Sequence, residues 1–134
     1  MDTTETYIKM CEKAGEIQEI KIKKRFPSHL VATYWRTTDG QIVDLDGDVL
    51  TEVKDTNNFS GKRYIWLPRQ DQLQELLKYN SVWELCWNFA RFTTLNTSDD
   101  KVMFQYTSME QLWLAFFMRK EVGKDWKGGE WVCH

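Results

Sequence analysis

Ser108-Met-Glu-Gln-Leu-Trp-Leu-Ala-Phe-Phe-Met-Arg-Lys-Glu-Val-Gly-Lys-Asp-Trp-Lys-Gly-Gly-Glu-Trp-Val132 runs a capped aromatic helix into a glycine hairpin. Ser108 and Gln111 have the capping-box spacing, in which the hydroxyl accepts from the amide three residues on and the Gln side chain returns to the cap amide. A helix is expected from Met109. Leu112, Trp113, Ala115, Phe116, Phe117 and Met118 follow so densely that more than one face is apolar, which suits a helix lying across a sheet and buried on most sides. Gly123 stands where a left-handed residue ends a helix, after the cations Arg119 and Lys120 that favour the negative end of its dipole. Gly128-Gly129 accepts the positive φ angles of a two-residue turn, so Trp126 and Trp131 should meet across a short ribbon.

Working back along the chain, Asp2 and Glu5 suggest a cap for a helix of about four turns carrying Tyr7, Met10, Cys11, Ala14 and Ile17 at three- and four-residue steps. The period changes to two over Ile20-Lys-Ile-Lys-Lys-Arg-Phe26, which reads as an extended link or edge strand ended by Pro27. Residues 30–36 and 41–45 flank Thr37-Thr38-Asp39-Gly40 as a hairpin; Asp46-Gly47 makes a second turn, and 49–53 continues the meander. Residues 54–61 read as a loop and Tyr64–Leu67 as a buried strand. Pro68 opens a helix to about Tyr79, with Leu73, Leu76 and Leu77 inward and Arg69, Gln70, Gln72 and Gln74 outward. Ser81 and Glu84 form another capping box, for a helix to about Phe92. Val102, Phe104 and Tyr106 alternate with polar neighbours, as in a strand with one buried face. The expectation is a single α+β domain over 1–134, a small antiparallel sheet of about four to five strands packed by about four helices.

Composition narrows the function classes. With 42% hydrophobic and 28% charged residues in 134, the chain can bury a core without staples. A net charge of −2 gives no global basic field, so a purely electrostatic nucleic-acid binder is disfavoured. No apolar run reaches the roughly 18–20 residues that span a bilayer, and the polar, acidic start is unlike a signal peptide; both point to the cytoplasm and to no membrane partner. Cys11, Cys86 and Cys133 are odd in number and widely spaced, which favours reduced thiols over a disulfide framework or zinc site.

The chemistry-bearing candidates are few. Asp44, Asp46 and Asp48 alternate around Gly47, but an EF-hand loop needs Gly at position six and Glu at twelve, so a strand turn is the better reading and no metal is assigned. Lys21, Lys23, Lys24 and Arg25 beside Phe26 form a basic cluster, and Lys62-Arg63 beside Phe59 a second. Cations with an aromatic neighbour suit phosphates and stacked bases, or a protein groove; on an edge strand they also discourage aggregation. His29 and His134 stand alone, no nucleophile elbow or phosphate loop is present, and no cofactor is called for. Asp71, Glu75 and Glu84 are more simply solvated helix faces than an acid–base set, which makes an enzyme the minority reading. Most of the seven Trp are expected in the core, with spare aromatic surface for an interface.

Three stretches carry a resemblance: Tyr7-Ile-Lys-Met-Cys-Glu-Lys-Ala-Gly-Glu-Ile-Gln18, Tyr64-Ile-Trp-Leu-Pro-Arg-Gln-Asp-Gln-Leu-Gln-Glu-Leu77 and the C-terminal block. They resemble a family of small phage and prophage proteins of Gram-positive bacteria, with a Trp-Leu-Pro-x-Gln core segment, a Ser-Met-Glu-x-Leu-Trp-Leu-Ala-Phe helix and a Trp-x-Gly-x-x-Trp-Val end. That family has no assigned activity and lends no catalytic residue. The resemblance implies a mobile-element accessory protein in a bacterial cytoplasm, binding a host protein or protein–nucleic-acid complex, for example as an inhibitor of a defence effector such as CRISPR. The alternative is a nucleotide or single-stranded nucleic-acid module. Phe59, Lys62 and Arg63, with Lys23, Lys24 and Arg25, are the expected contact residues, since function is disproportionately carried by loops on rigid scaffolds.

Overall fold

Thr4, not Asp2, caps the first helix: its hydroxyl accepts from the Tyr7 amide at 3.3 Å, while Asp2 accepts from the Thr4 amide at 2.8 Å. The computed structural model describes residues 2–23, 33–37, 42–45, 58–59, 62–95 and 101–133. Helix α1 (Glu5–Lys13) buries Tyr7, Ile8, Met10 and Cys11. The expected four-turn helix is broken at Ala14, which leaves helical geometry at ψ 70° just before Gly15, a poor helix former. A second helix, α2 (Gly15–Lys23), then carries Ile17 into the core. It also overturns the extended reading of residues 20–23: Ile20 and Lys21–Lys23 are helical. Four residues of alternation match one turn of helix as well as a strand, and Glu, Gln and Lys favour the helix.

The strands form two separate antiparallel sheets, which corrects the expectation of one sheet of four to five strands. Strands β1 (Thr33–Thr37), β2 (Ile42–Leu45), β3 (Asn58–Phe59) and β4 (Lys62–Leu67) lie in the order β2-β1-β4-β3, with Trp35 opposite Val43 on one side and Trp66 on the other. The antiparallel β1–β2 pairing is the expected one, whereas the continuation at 49–53 lies outside the described residues. Trp66 and Leu67 are fully buried, as foreseen. Among the described residues β3 pairs with β4 at Lys62 and Arg63 and does not extend along its outer edge to Trp66. The Gln18 side chain takes that place: its carbonyl accepts from the Trp66 amide at 2.9 Å, and its NH2 donates to the Trp66 and Cys11 carbonyls at 3.0 and 3.1 Å. Gln18→Ala removes all three bonds and should cost about 1–3 kcal/mol in chemical denaturation, the range for stranding a buried backbone group. A loss under about 0.5 kcal/mol would mean that water substitutes for the amide.

After Pro68, whose carbonyl accepts from the buried Tyr7 hydroxyl at 2.5 Å, come α3 (Gln70–Leu76), α4 (Val82–Leu95), α5 (Lys101–Phe104) and α6 (Met109–Phe117). Counted with α1 and α2, the helices exceed the expected four. Gln72 departs from its outward assignment: it is fully buried, its carbonyl accepting from the Arg69 amide at 2.9 Å. Residues 101–104 are helical rather than a strand, and Phe104, expected inside, is 79% exposed. A two-residue period over so short a segment makes a strand only where a neighbouring edge pairs with it, and none of the pairings among the described residues includes it.

Helix α6 supplies the centre of the core, with Trp113, Leu114, Ala115, Phe116, Phe117 and Met118 all buried. It begins at Ser108, whose hydroxyl accepts from the Gln111 amide at 3.1 Å. The return bond differs from the expected box, because the Gln111 side chain accepts from Thr107 instead, at 3.0 Å. The helix widens into a π turn over Met118–Val122 and ends at Gly123 with φ 76°, the foreseen left-handed position. Strands β5 (Lys124–Lys127) and β6 (Glu130–Cys133) form the expected hairpin through Gly128 and Gly129 at φ 59° and 84°. Trp126 lies opposite Trp131, with ring centroids 5.0 Å apart. The Trp131 indole donates to the Met10 carbonyl at 2.9 Å, which is available because the Ala14 amide bonds the Cys11 carbonyl instead.

Candidate functional site

Helix α4 has two apolar faces, and the core takes one of them. Its start is held by the Ser81 hydroxyl, which accepts from the Glu84 amide, and by the Glu84 carboxylate, which accepts from the Asn80 amide, both at 3.1 Å. Its rotation is set by aromatic packing. Phe89 stacks on Trp113 with centroids 3.8 Å apart and planes 4° from parallel, and Phe92 lies 5.2 Å from Phe116. Residues three and four apart share a helix face, so fixing Leu85, Phe89 and Phe92 inward turns Val82, Trp83, Cys86, Trp87 and Ala90 outward.

Val82, Trp83 and Trp87 are 77%, 72% and 53% exposed, and Cys86 and Ala90 are exposed between them. The indoles of Trp83 and Trp87 lie 6.0 Å apart and 2° from parallel. Large apolar side chains grouped on one exposed face mark interaction sites, whereas scattered ones are ordinary surface. Arg91 ends the face as an exposed cation. Elsewhere, an open groove of about 590 Å³ has Ile20, Leu76, Phe117 and Val122 in its lining, with Glu16, Glu19, Glu121 and Lys78 around them. Burial alone would raise the Glu16 carboxyl's pKa, but the Lys124 ammonium, through its hydrogen bond and its charge, and a backbone amide together outweigh it and hold the value below the usual range.

The residues expected to make contacts are not brought together as a loop. Phe59 and Lys62 are cross-strand partners in β3 and β4, and Asn58 is opposite Arg63, so the segment is a short hairpin. Lys23 is the last residue of α2; Lys24 and Arg25, like Asp46 and Asp48, lie outside the described residues. Of the carboxylates considered for acid–base work, Asp71 is gripped by Arg69 at 2.9 and 3.0 Å, which holds its pKa below the ordinary aspartate value, and Glu84 serves the helix cap. Among the described residues no three His, Cys, Asp or Glu side chains group to hold a metal ion, and no helix is long and apolar enough to cross a membrane. Cys11, Cys86 and Cys133 are free thiols.

Comparison with protein-family models, with curated proteins and with solved structures finds no match to this chain.

Proposed function

We propose that this is a phage- or prophage-encoded accessory protein that acts by binding a host macromolecule, with the outer face of α4 as its principal contact surface and a defence effector such as CRISPR as the class of target. One observation carries the reading: two tryptophans stand exposed on a helix whose opposite face is locked into the core. Trp is the residue most enriched at the centres of interfaces, because it buries a large rigid area at small entropic cost. Phe59, Lys62 and Arg63, with Lys23, Lys24 and Arg25, remain a proposed auxiliary contact.

A pull-down from host lysate, with and without nuclease, tests this directly. Replacing Trp83 and Trp87 together by Ala should leave the thermal midpoint unchanged and weaken capture at least tenfold, about 1.4 kcal/mol. If a Phe59→Ala, Lys62→Ala, Arg63→Ala variant loses the partner while the tryptophan variant keeps it, the contact surface belongs to the β3–β4 hairpin. The second reading, a nucleotide or single-stranded nucleic-acid module, is favoured by the parallel exposed indoles, which offer a stacking platform. It requires affinity that falls steeply with salt, whereas a contact made by apolar anchors does not.

A further inference from the structure

We propose that the open groove between α2, the end of α3 and the π turn is a docking site for a basic amphipathic helix, a partner segment whose apolar face is flanked by lysine or arginine. Its lining comes from elements other than α4, so it is a second surface, distinct from the exposed tryptophans.

The π turn helps to build the apolar lining. At about 100° per residue, α geometry would set Phe117 and Val122 roughly 140° apart around the helix. A π turn bonds residues five apart, so the widened stretch over Met118–Val122 swings Val122 back toward the side of Phe117, and both line the groove. Such turns are rare and frequently mark functional sites. Phe117 is buried, while Ile20, Leu76 and Val122 are half-buried, which leaves apolar surface for an occupant to cover.

Shape and charge select that occupant. Small-molecule pockets cover roughly 70–90% of their ligand. An open groove of about 590 Å³ covers one side and suits a segment that is apolar on that side alone. Carboxylates stand on two of the walls. Glu16 and Glu19 share a face of α2 with Ile20 at three- and four-residue spacing, and Glu121 stands on the π turn. Against these three carboxylates are two ammonium groups, Lys78 in the lining and Lys124 on Glu16. The same sign is felt nearby: burial, then the charges of Glu121 and Glu84, push the pKa of the Tyr79 hydroxyl up, although the Lys120 ammonium lies 5.9 Å from its ring. An apolar trough in a negative field favours a cationic amphipathic segment and disfavours an acidic one or a nucleic acid.

Titration of the isotope-labelled full chain, at physiological salt, with a synthetic helical peptide of leucine and lysine about four turns long tests this by NMR. The amides of Ile20, Leu76 and Val122 should shift saturably while the Trp83 and Trp87 indole signals stay in place. A peptide with glutamate for lysine and one with serine for leucine should each bind at least tenfold more weakly, because each lacks half of the match. Glu19→Lys with Glu121→Lys should also cost at least tenfold. Glu12→Lys with Glu130→Lys, the same charge change at exposed positions outside the groove, should cost far less. Shifts confined to α4, equal binding of either altered peptide, or equal losses in the two charge variants overturn the proposal. Groove signals that move with protein concentration alone would give the trough to a second copy and overturn it too. Trp83→Ala with Trp87→Ala should leave peptide binding unchanged, so failure at the groove and failure of the proposed α4 contact are read separately.

Discussion

Trp113→Ala should lower the free energy of unfolding by about 3–5 kcal/mol, and Trp113→Phe by less than about 1.5 kcal/mol. The indole is 4% exposed, stacked on Phe89 and edge-on to Phe116 at 5.9 Å, so truncation leaves an aromatic-sized void between α4 and α6. Its Nε1–H is buried and has no hydrogen-bond partner among the described residues. Phenylalanine keeps most of the stacked area and removes an unsatisfied donor, and the second effect offsets part of the lost volume. Urea denaturation of both variants checks this, and an alanine cost below about 1 kcal/mol would show that the core closes around the gap. Because the Phe89 stack also sets the rotation of α4, Trp113→Ala should weaken partner capture although it touches no partner, an effect that the Phe variant should spare.

What was legible in the sequence shares a physical property: it depends on neighbours a few residues away. The Ser108 and Ser81 caps, the left-handed Gly123 and the Gly128-Gly129 hairpin that joins Trp126 to Trp131 are local geometry, and the structure has them. Gln18 and Gln72 were not legible in their roles, and Gln111 only as the partner of the Ser108 cap. The side-chain carbonyl of each accepts from a backbone amide, two of the three from full burial, and no periodicity distinguishes such a glutamine from one facing water. The segments read with a two-residue period, 20–26 and 101–107, failed over 20–23 and 101–104 because a strand exists only where another strand pairs with it, a non-local condition. The exposed face of α4 was half visible. Leu85, Phe89 and Phe92 and the set Trp83, Cys86, Trp87 and Ala90 are separate stripes at helical spacing, a signal that one apolar face must lack a core to pack on. Which stripe goes inward is decided by α6, through Trp113 and Phe116. Phe59, Lys62 and Arg63, read as contacts on a loop, lie in paired strands.

Asp2→Ala should cost about 2–4 kcal/mol at neutral pH, a large effect for a residue so near the start of the chain. Asp2 is 8% exposed and ties the segment before α1 to the start of α6: its carboxylate accepts from the Thr4 amide at 2.8 Å, the Ser108 hydroxyl at 2.5 Å and the Gln111 NH2 at 2.7 Å. Hydrogen bonds to a charged group contribute about 1.5–3 kcal/mol each, and alanine would leave the fully buried Gln111 short of an acceptor. Burial alone would raise the carboxyl's pKa, but the bonds from Ser108, Thr4 and Gln111 together outweigh it and hold the value below the ordinary one. The sign of the pH dependence follows from that depression. The unfolded chain takes up the proton first, so the contribution is complete above the unfolded aspartate value of about 3.9 and is lost as pH falls through the lower folded value. Glu16 and Asp71 are depressed in the same direction and share the acid slope, so the wild type alone cannot isolate Asp2. The difference between wild type and Asp2→Asn can, since the amide keeps one acceptor oxygen but does not titrate and turns an NH2 toward donors. That difference should be flat from pH 7 to about 5 and shrink below about 4. A gap that stays constant down to pH 2 would show that the three bonds do not depend on the charge, and that Asp2 acts as a packing residue alone.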